Sequence, residues 1–248
     1  MIKYVLFDTE TTGNQGEDRI IQIGAMVIDA RGGVEVYDEL CSSEVEIKIE
    51  AMEVHNITPE LLEGKGNFKS TKFYRDLTSL NSSKNYLIAH NIKFDLGMLE
   101  KEGFENNMQL IDTLRCSKHL FPDSPYHRLQ YFRYSLGLYK DEIREAQKHN
   151  IVIKAHDAIG DVLVMKLLLS KLVAKVKERY PSAHPMEQLA TLTRQPVMIQ
   201  TFKFGKHNGK KIEDVAREDM SYLKWMYKNM DLDEDMQFTL EKVMERYG

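Results

Sequence analysis

Several things are scarce in this chain, and each scarcity removes a class of protein. Its 248 residues include only two cysteines, Cys41 and Cys116. They lie far apart and in no metal-type spacing, which argues against a disulfide framework or a zinc cage and fits a reducing cytoplasm. A basic surplus is also missing: 34 Lys and Arg against 38 Asp and Glu leave a net charge of -4. The field of the whole protein therefore repels phosphates mildly, and any nucleic acid would have to be gripped by local charge or by metal. No long apolar run is present, because the longest, 162–173, is broken by Lys166 and Lys171. The N-terminus opens into a strand with no basic-then-apolar leader, so neither secretion nor a membrane span is expected.

What the chain does have is enough apolar residue, 42%, for one ordinary α/β domain with some 50 to 70 residues left over. Ile2 to Leu6 reads as a buried strand running into Phe7-Asp8-Thr9-Glu10-Thr11-Thr12-Gly13. Two hydrophobic runs around Ala30-Arg31-Gly32-Gly33 read as an antiparallel hairpin. Strands are then expected at Tyr86 to Ala89 and Gln109 to Asp112, and helices at 58–62, 71–80, 94–104, 113–121 and 127–136. From Ala158 to Tyr180 the apolar residues Val162, Met165, Leu169, Leu172 and Val176 recur at three- and four-residue steps, the mark of a helix with one buried face. Strands first and strands alternating with helices later imply a mixed sheet covered by helices. Pro181, Pro185 and Pro196 place a domain boundary between 181 and 199. Beyond it a strand-like run at 197–204 and two helical segments, 212–229 and 234–247, suggest a small α+β module at 200–248.

The chemistry concentrates in a few places. Asp8 and Glu10 are two apart near a strand end, so their side chains share a face. Two carboxylates aimed at one point repel unless a cation sits between them, and a divalent metal is the usual occupant; the alternative is that Asp8 only caps the Thr-Thr-Gly turn. Asp95 follows the end of the Tyr86 strand at the start of a helix, where ligands sit in open α/β sheets. Its alternative is a helix cap. His156 and Asp161 are five apart at the start of the long helix, about 140° around its axis, so they face one site only if His156 lies on the preceding loop. Asp157 between them is a good cap residue.

In this order the set resembles the DEDDh group of 3′-to-5′ exonucleases, a ribonuclease-H-like family, over residues 1 to about 176. Asp8-Thr9-Glu10-Thr11-Thr12-Gly13 matches its first motif, His90-Asn91 with Phe94-Asp95 its second, and His156 with Asp161 its third. The resemblance implies that Asp8, Glu10, Asp95 and Asp161 hold two Mg²⁺ or Mn²⁺ ions and that His156 is the general base. It also implies that Thr9, Thr11, His55, Asn91 and Phe94 bind the terminal nucleotide. Residues 1–180 would form the exonuclease domain, acting on single-stranded or frayed DNA, with RNA as the rival substrate and a DNA polymerase among the partners the family allows. A non-catalytic adapter is the rival from another class, and the intact set of acids with His156 argues against it.

The tail, with Phe202-Lys203-Phe204-Gly205-Lys206 and Gly209-Lys210-Lys211, resembles the small module behind the nuclease in exonuclease X-type proteins. Its lysines and phenylalanines suit a nucleic-acid backbone and its bases, or equally a solvated turn. Trp225 is expected in the module's core. A calcium loop at Asp231 to Lys242 is rejected, since Met236 stands where glycine is needed and Lys242 where the bidentate glutamate belongs.

Overall fold

The computed structural model describes residues 1–153 and 157–248. Three strands open the chain: β1 (Lys3–Thr11), β2 (Ile20–Asp29) and β3 (Val34–Leu40). Gly32 supplies the positive φ that the turn between β2 and β3 requires. Helices α1 (Ile49–His55), α2 (Pro59–Leu62) and α3 (Lys72–Leu80) lead to β4 (Tyr86–Ala89); α4 (Ile92–Lys101) then leads to β5 (Gln109–Asp112). An all-helical stretch follows: α5 (Thr113–Leu120), α6 (Leu129–Ser135), α7 (Tyr139–His149), α8 (Ala158–Arg179) and α9 (Pro185–Arg194). The chain ends in α10 (Ile212–Glu218), α11 (Met220–Asn229) and α12 (Glu234–Tyr247).

The five strands form one mixed sheet in the order β3-β2-β1-β4-β5. β2 runs antiparallel to β1 and β3, whereas β4 is parallel to β1 and β5. Alternation along β1 splits the core in two. Leu6 packs with Met26, Ile88 and the apolar face of α8 on one side. Val5 and Phe7 pack with Phe73, Leu77, Met98 and Leu99 of α3 and α4 on the other. Helices therefore cover both faces, as the sequence pattern implies.

Three helices were not expected: α1, α7 and α9. The last lies within 181–199, where a linker was foreseen, and its Leu189, Ala190 and Leu192 are buried in the same cluster as α8. Pro185 starts this helix rather than ending one, because proline at the first helical position has no hydrogen bond to lose. The strand expected at 197–204 is reduced to a single bridge between Thr201 and Lys211. A small third core, with Phe202, Leu223, Met226 and Leu240 at its centre, holds α10, α11 and α12 together. Asp219 breaks the helix expected over 212–229, and its carboxylate caps α11 by accepting from the Tyr222 N–H. This module is tied to the sheet side by Arg115, which pairs through both Nη atoms with Asp235 at 3.0 and 3.3 Å and donates to the Thr193 and Gln195 carbonyls.

Candidate active site

Because β1 and β4 are parallel, their C-terminal ends lie at the same edge of the sheet, and so do the residues that follow them. Asp8 and Glu10, on the face shared with Leu6, are partly buried. Thr9 points the other way and meets Asp95, which is only 3% exposed in the first turn of α4. Asp95 Oδ1 accepts from the Thr9 hydroxyl at 2.7 Å and from its backbone N–H at 3.2 Å. Thr9 thus ties the second motif to the first. A register shift between Glu10 and Thr11 marks a bulge at this point, a common way to re-aim side chains at a site.

The third motif arrives on α8 by a close approach. Gly24 is the β2 partner of Asp8, and a Cβ there would lie 2.3 Å from the Ala158 carbonyl carbon and from the Ile159 nitrogen. Only glycine admits the first turn of α8 against the strand. Asp161 is in that turn, and its Oδ1 accepts from Gln130 Nε2 at 2.7 Å. Asp157 takes the N-cap position of α8, but its side chain does not cap. Instead Asp157 Oδ1 accepts from Gln22 Nε2 at 2.7 Å, and the same amide donates to Asp38. His156 lies outside the described residues.

The acids sense one another. The pKa of Asp8 is raised well above the usual carboxylate range, first by burial and then by Asp95, Asp161 and Glu10. Glu10 is pushed up to about 8 by burial and by the charges of Asp161, Asp95 and Asp157. Asp95 is raised chiefly by burial, against the pull of its two bonds from Thr9. Such a set of hard oxygen donors with repelling charges suits a divalent ion chemically. Among the described residues, however, no three His, Cys, Asp or Glu side chains are placed as a finished cage. The fit lies in the donors rather than in a closed geometry.

Beside the acids opens a cavity of about 460 Å³ whose walls include Thr9, Glu10, Thr11, Lys48, His55 and Phe94. Four of the five residues expected to hold a nucleotide therefore meet in one space. Phe94 is 38% exposed rather than a core residue of its helix. Asn91, the fifth, is exposed in a left-handed conformation ahead of α4, and its N–H donates to Asp112. It does not line the cavity. His55 is buried; the Ile57 N–H donates to its Nδ1, so Nε2 carries the proton and donates to the Thr11 carbonyl at 3.2 Å. Burial lowers its pKa in keeping with that neutral form.

Sequence reasoning passed over several supports. Asp18, fully buried, accepts from the Thr12 hydroxyl, the Gln15 N–H and Lys48 Nζ, and so braces the turn after β1. His90 Nε2 donates to the His127 carbonyl at 2.9 Å, joining the end of β4 to the loop before α6. Arg133 pairs with Glu142 through two bonds and also reaches the Oε1 of Gln130. Lys48 and Asp18 are 30 residues apart and His90 and His127 are 37 apart, so no local pattern announces these pairs.

The profile of the family described as Exonuclease matches residues 5–169, and that of the Exodeoxyribonuclease X-like C-terminal family matches residues 202–231. Exodeoxyribonuclease 10 of Escherichia coli (strain K12) is 28% identical over 246 residues, 97% of this chain and 98% of that protein. DNA polymerase III subunit epsilon of Treponema pallidum (strain Nichols) is 29% identical over 181 residues, 70% of this chain and 77% of that one. The solved structure of exonuclease X in complex with 5′ overhanging duplex DNA matches with a TM-score of 0.55 at 21% identity, over 78% of this chain and 99% of that chain. At that identity the likeness is one of fold, the ribonuclease-H-like arrangement of sheet and helices. The first profile covers most of the chain and all four clustered acids, and on that ground the chain belongs to the exonuclease family.

Proposed function

We propose that this protein is a 3′-to-5′ exonuclease that releases nucleoside monophosphates from single-stranded or frayed DNA with the help of divalent metal. The observation that carries the reading is the gathering of Asp8, Glu10, Asp95 and Asp161 at one sheet edge beside a cavity of nucleotide size. Relatives favour DNA over RNA, since Exodeoxyribonuclease 10 matches along nearly its whole length, the C-terminal module included.

The four acids would hold Mg²⁺ or Mn²⁺, two ions by family. Bound there, the metal supplies positive charge against the phosphate and eases deprotonation of the attacking water. The remaining work falls to the chain itself. Thr9 keeps Asp95 against β1, Gly24 lets α8 carry Asp161 up to Asp8, and Gln130 orients the Asp161 carboxylate. His55, neutral and locked, holds the Thr11 carbonyl at the rim of the cavity. Phe94 offers a ring face to the terminal base. His156, next in sequence to the anchored Asp157, accepts the water's proton, a task that suits the imidazole side chain near neutral pH. The two cysteines are free and buried, which supports work in a reducing cytoplasm.

The test is a time course on end-labelled DNA and RNA oligonucleotides of matched sequence with Mg²⁺, Mn²⁺ or EDTA. Laddering from the 3′ end of DNA that EDTA stops, and that Asp8→Ala abolishes, is the expected result. Retained activity in Asp8→Ala would show the site to be elsewhere, and better cleavage of RNA would change the substrate.

A further inference from the structure

The C-terminal module carries an aromatic surface that its own core uses only in part: Tyr222 packs against that core, and Phe204 and Trp225 are exposed. Trp225, expected inside, is 54% exposed on α11. Its ring stacks on Tyr222, one turn earlier, with an interplanar angle of 25°. Phe204, 41% exposed, precedes Gly205, where a Cβ would lie 2.7 Å from the Tyr222 hydroxyl. A large ring left in water on a small domain needs a reason, because its burial is worth more than that of most side chains.

Lysines dominate the segments that carry these rings, although the Asp219 carboxylate caps α11 at Tyr222. Residues 200–211 and 220–230 contain Lys203, Lys206, Lys210, Lys211, Lys224 and Lys228 and no acid. Lys206 and Lys210 pair with Asp219 and Glu218, whereas Lys203, Lys224 and Lys228 make no ion pair among the described residues. Lys228 lies one turn beyond Trp225 on α11, on the same side of the helix.

Lys203 links this surface to a groove between the two domains. Glu10 lines the nucleotide cavity, and Asp161 accepts from Gln130 in the first turn of α6. Three residues before Gln130, His127 lies in a groove between the two domains, with Lys118, Lys203 and Lys211 among its walls. Asp123, Asp233 and Asp235 line it too, and Arg115 pairs with the last. Lys203, one of its walls, is the residue before Phe204.

We infer that the face formed by the exposed Phe204 and Trp225 and the half-buried Tyr222, with Lys203 and Lys228, is a stacking platform for single-stranded DNA, and that it takes the part of the substrate strand lying 5′ of the scissile bond. This rests on the exonuclease reading above. Aromatic rings accept any base, and neighbouring lysines follow the backbone, so the platform would add affinity for long strands without reading sequence.

Trp225 is the chain's single tryptophan, and its emission therefore reports the platform alone. The full-length protein is titrated with a long oligo(dT) in EDTA while its emission is followed, and wild type and Trp225→Ala are compared for binding by anisotropy. Hydrolysis of the same oligonucleotide and of a thymidine dinucleotide is then measured with Mg²⁺. Saturable quenching that weakens with salt is expected, together with binding of the long strand roughly 5- to 100-fold weaker in Trp225→Ala. Trp225→Phe should restore most of that binding, and the dinucleotide should be cleaved at the wild-type rate by both variants. Unquenched emission, with long-strand binding unchanged in Trp225→Ala, overturns the platform and leaves the patch to a protein partner. Loss of all cleavage in the wild type would count against the exonuclease reading instead, and the two failures are told apart by the dinucleotide.

Discussion

Gly24 and Ala158 lie closer than any residue with a side chain at position 24 would allow, since a Cβ there would stand 2.3 Å from the Ala158 carbonyl carbon. The contact sets the height of α8 over β1 and with it the position of Asp161 relative to Asp8. Gly24→Ala should push the first turn of α8 off the strand. The expected outcome is a loss of about 1–3 kcal/mol in stability and a fall in kcat of about 10²-fold, as for small misplacements of catalytic groups. Measured by thermal unfolding and steady-state kinetics, an active Gly24→Ala enzyme would show that α8 can shift without harm.

Thr9 is buried and has its hydroxyl on Asp95. Thr9→Val keeps the shape and removes that donor, worth about 1.5–3 kcal/mol when the acceptor is charged. We expect kcat to fall by roughly 10- to 100-fold with little change in KM, and the Mg²⁺ concentration at half-maximal rate to rise. An unchanged metal dependence would mean that Asp95 needs no holding.

The acids raise one another's pKa by mutual repulsion, so a bound divalent ion, which offsets that repulsion, should stabilise the fold by mass action. Mg²⁺ is expected to raise the melting temperature and EDTA to reverse the rise. Asp8→Ala should be insensitive to both. The readout is thermal unfolding, with no substrate present.

His90 has its pKa lowered to about 4, first by burial, while the His127 carbonyl bond opposes the shift. The sign follows: the folded state resists protonation and the unfolded chain does not, so stability is lost as pH falls from about 6.5, the unperturbed value, towards 4. His90→Asn should be less stable at pH 7 and should lose less on acidification to pH 4.5. Equal slopes for the two proteins in unfolding experiments across that range would show that His90 does not govern it.

Arg115 and Asp235, both largely buried, join the nuclease domain to the C-terminal module. Removing one partner of such a pair costs about 3–5 kcal/mol. Arg115→Ala is expected to expose the segment near 195–199 to limited proteolysis while leaving dinucleotide cleavage intact.

Much of the acid-lined edge could be read from the sequence because it rests on local periods. A strand of period two puts Asp8 and Glu10 on one face, and a helix of period 3.6 gives α8 its buried stripe with Asp161 in the first turn. Phe94 could not be assigned that way, since exposure at a helix start depends on what covers it. Nor could the role of Asp157: a good cap residue in principle, it accepts instead from Gln22, 135 residues away.

The sequence by itself determined the element types over most of the nuclease domain, the order of the acids and the absence of a disulfide framework. These follow from composition and from patterns within a few residues. Tertiary structure alone decided that Thr9 serves Asp95, that Gln130 serves Asp161, that α9 completes the core in a supposed linker, and that Trp225 faces solvent. Each depends on which distant segment arrives at a given point. Hydrophobic pattern tells a residue to be covered, and only the packed chain says by what.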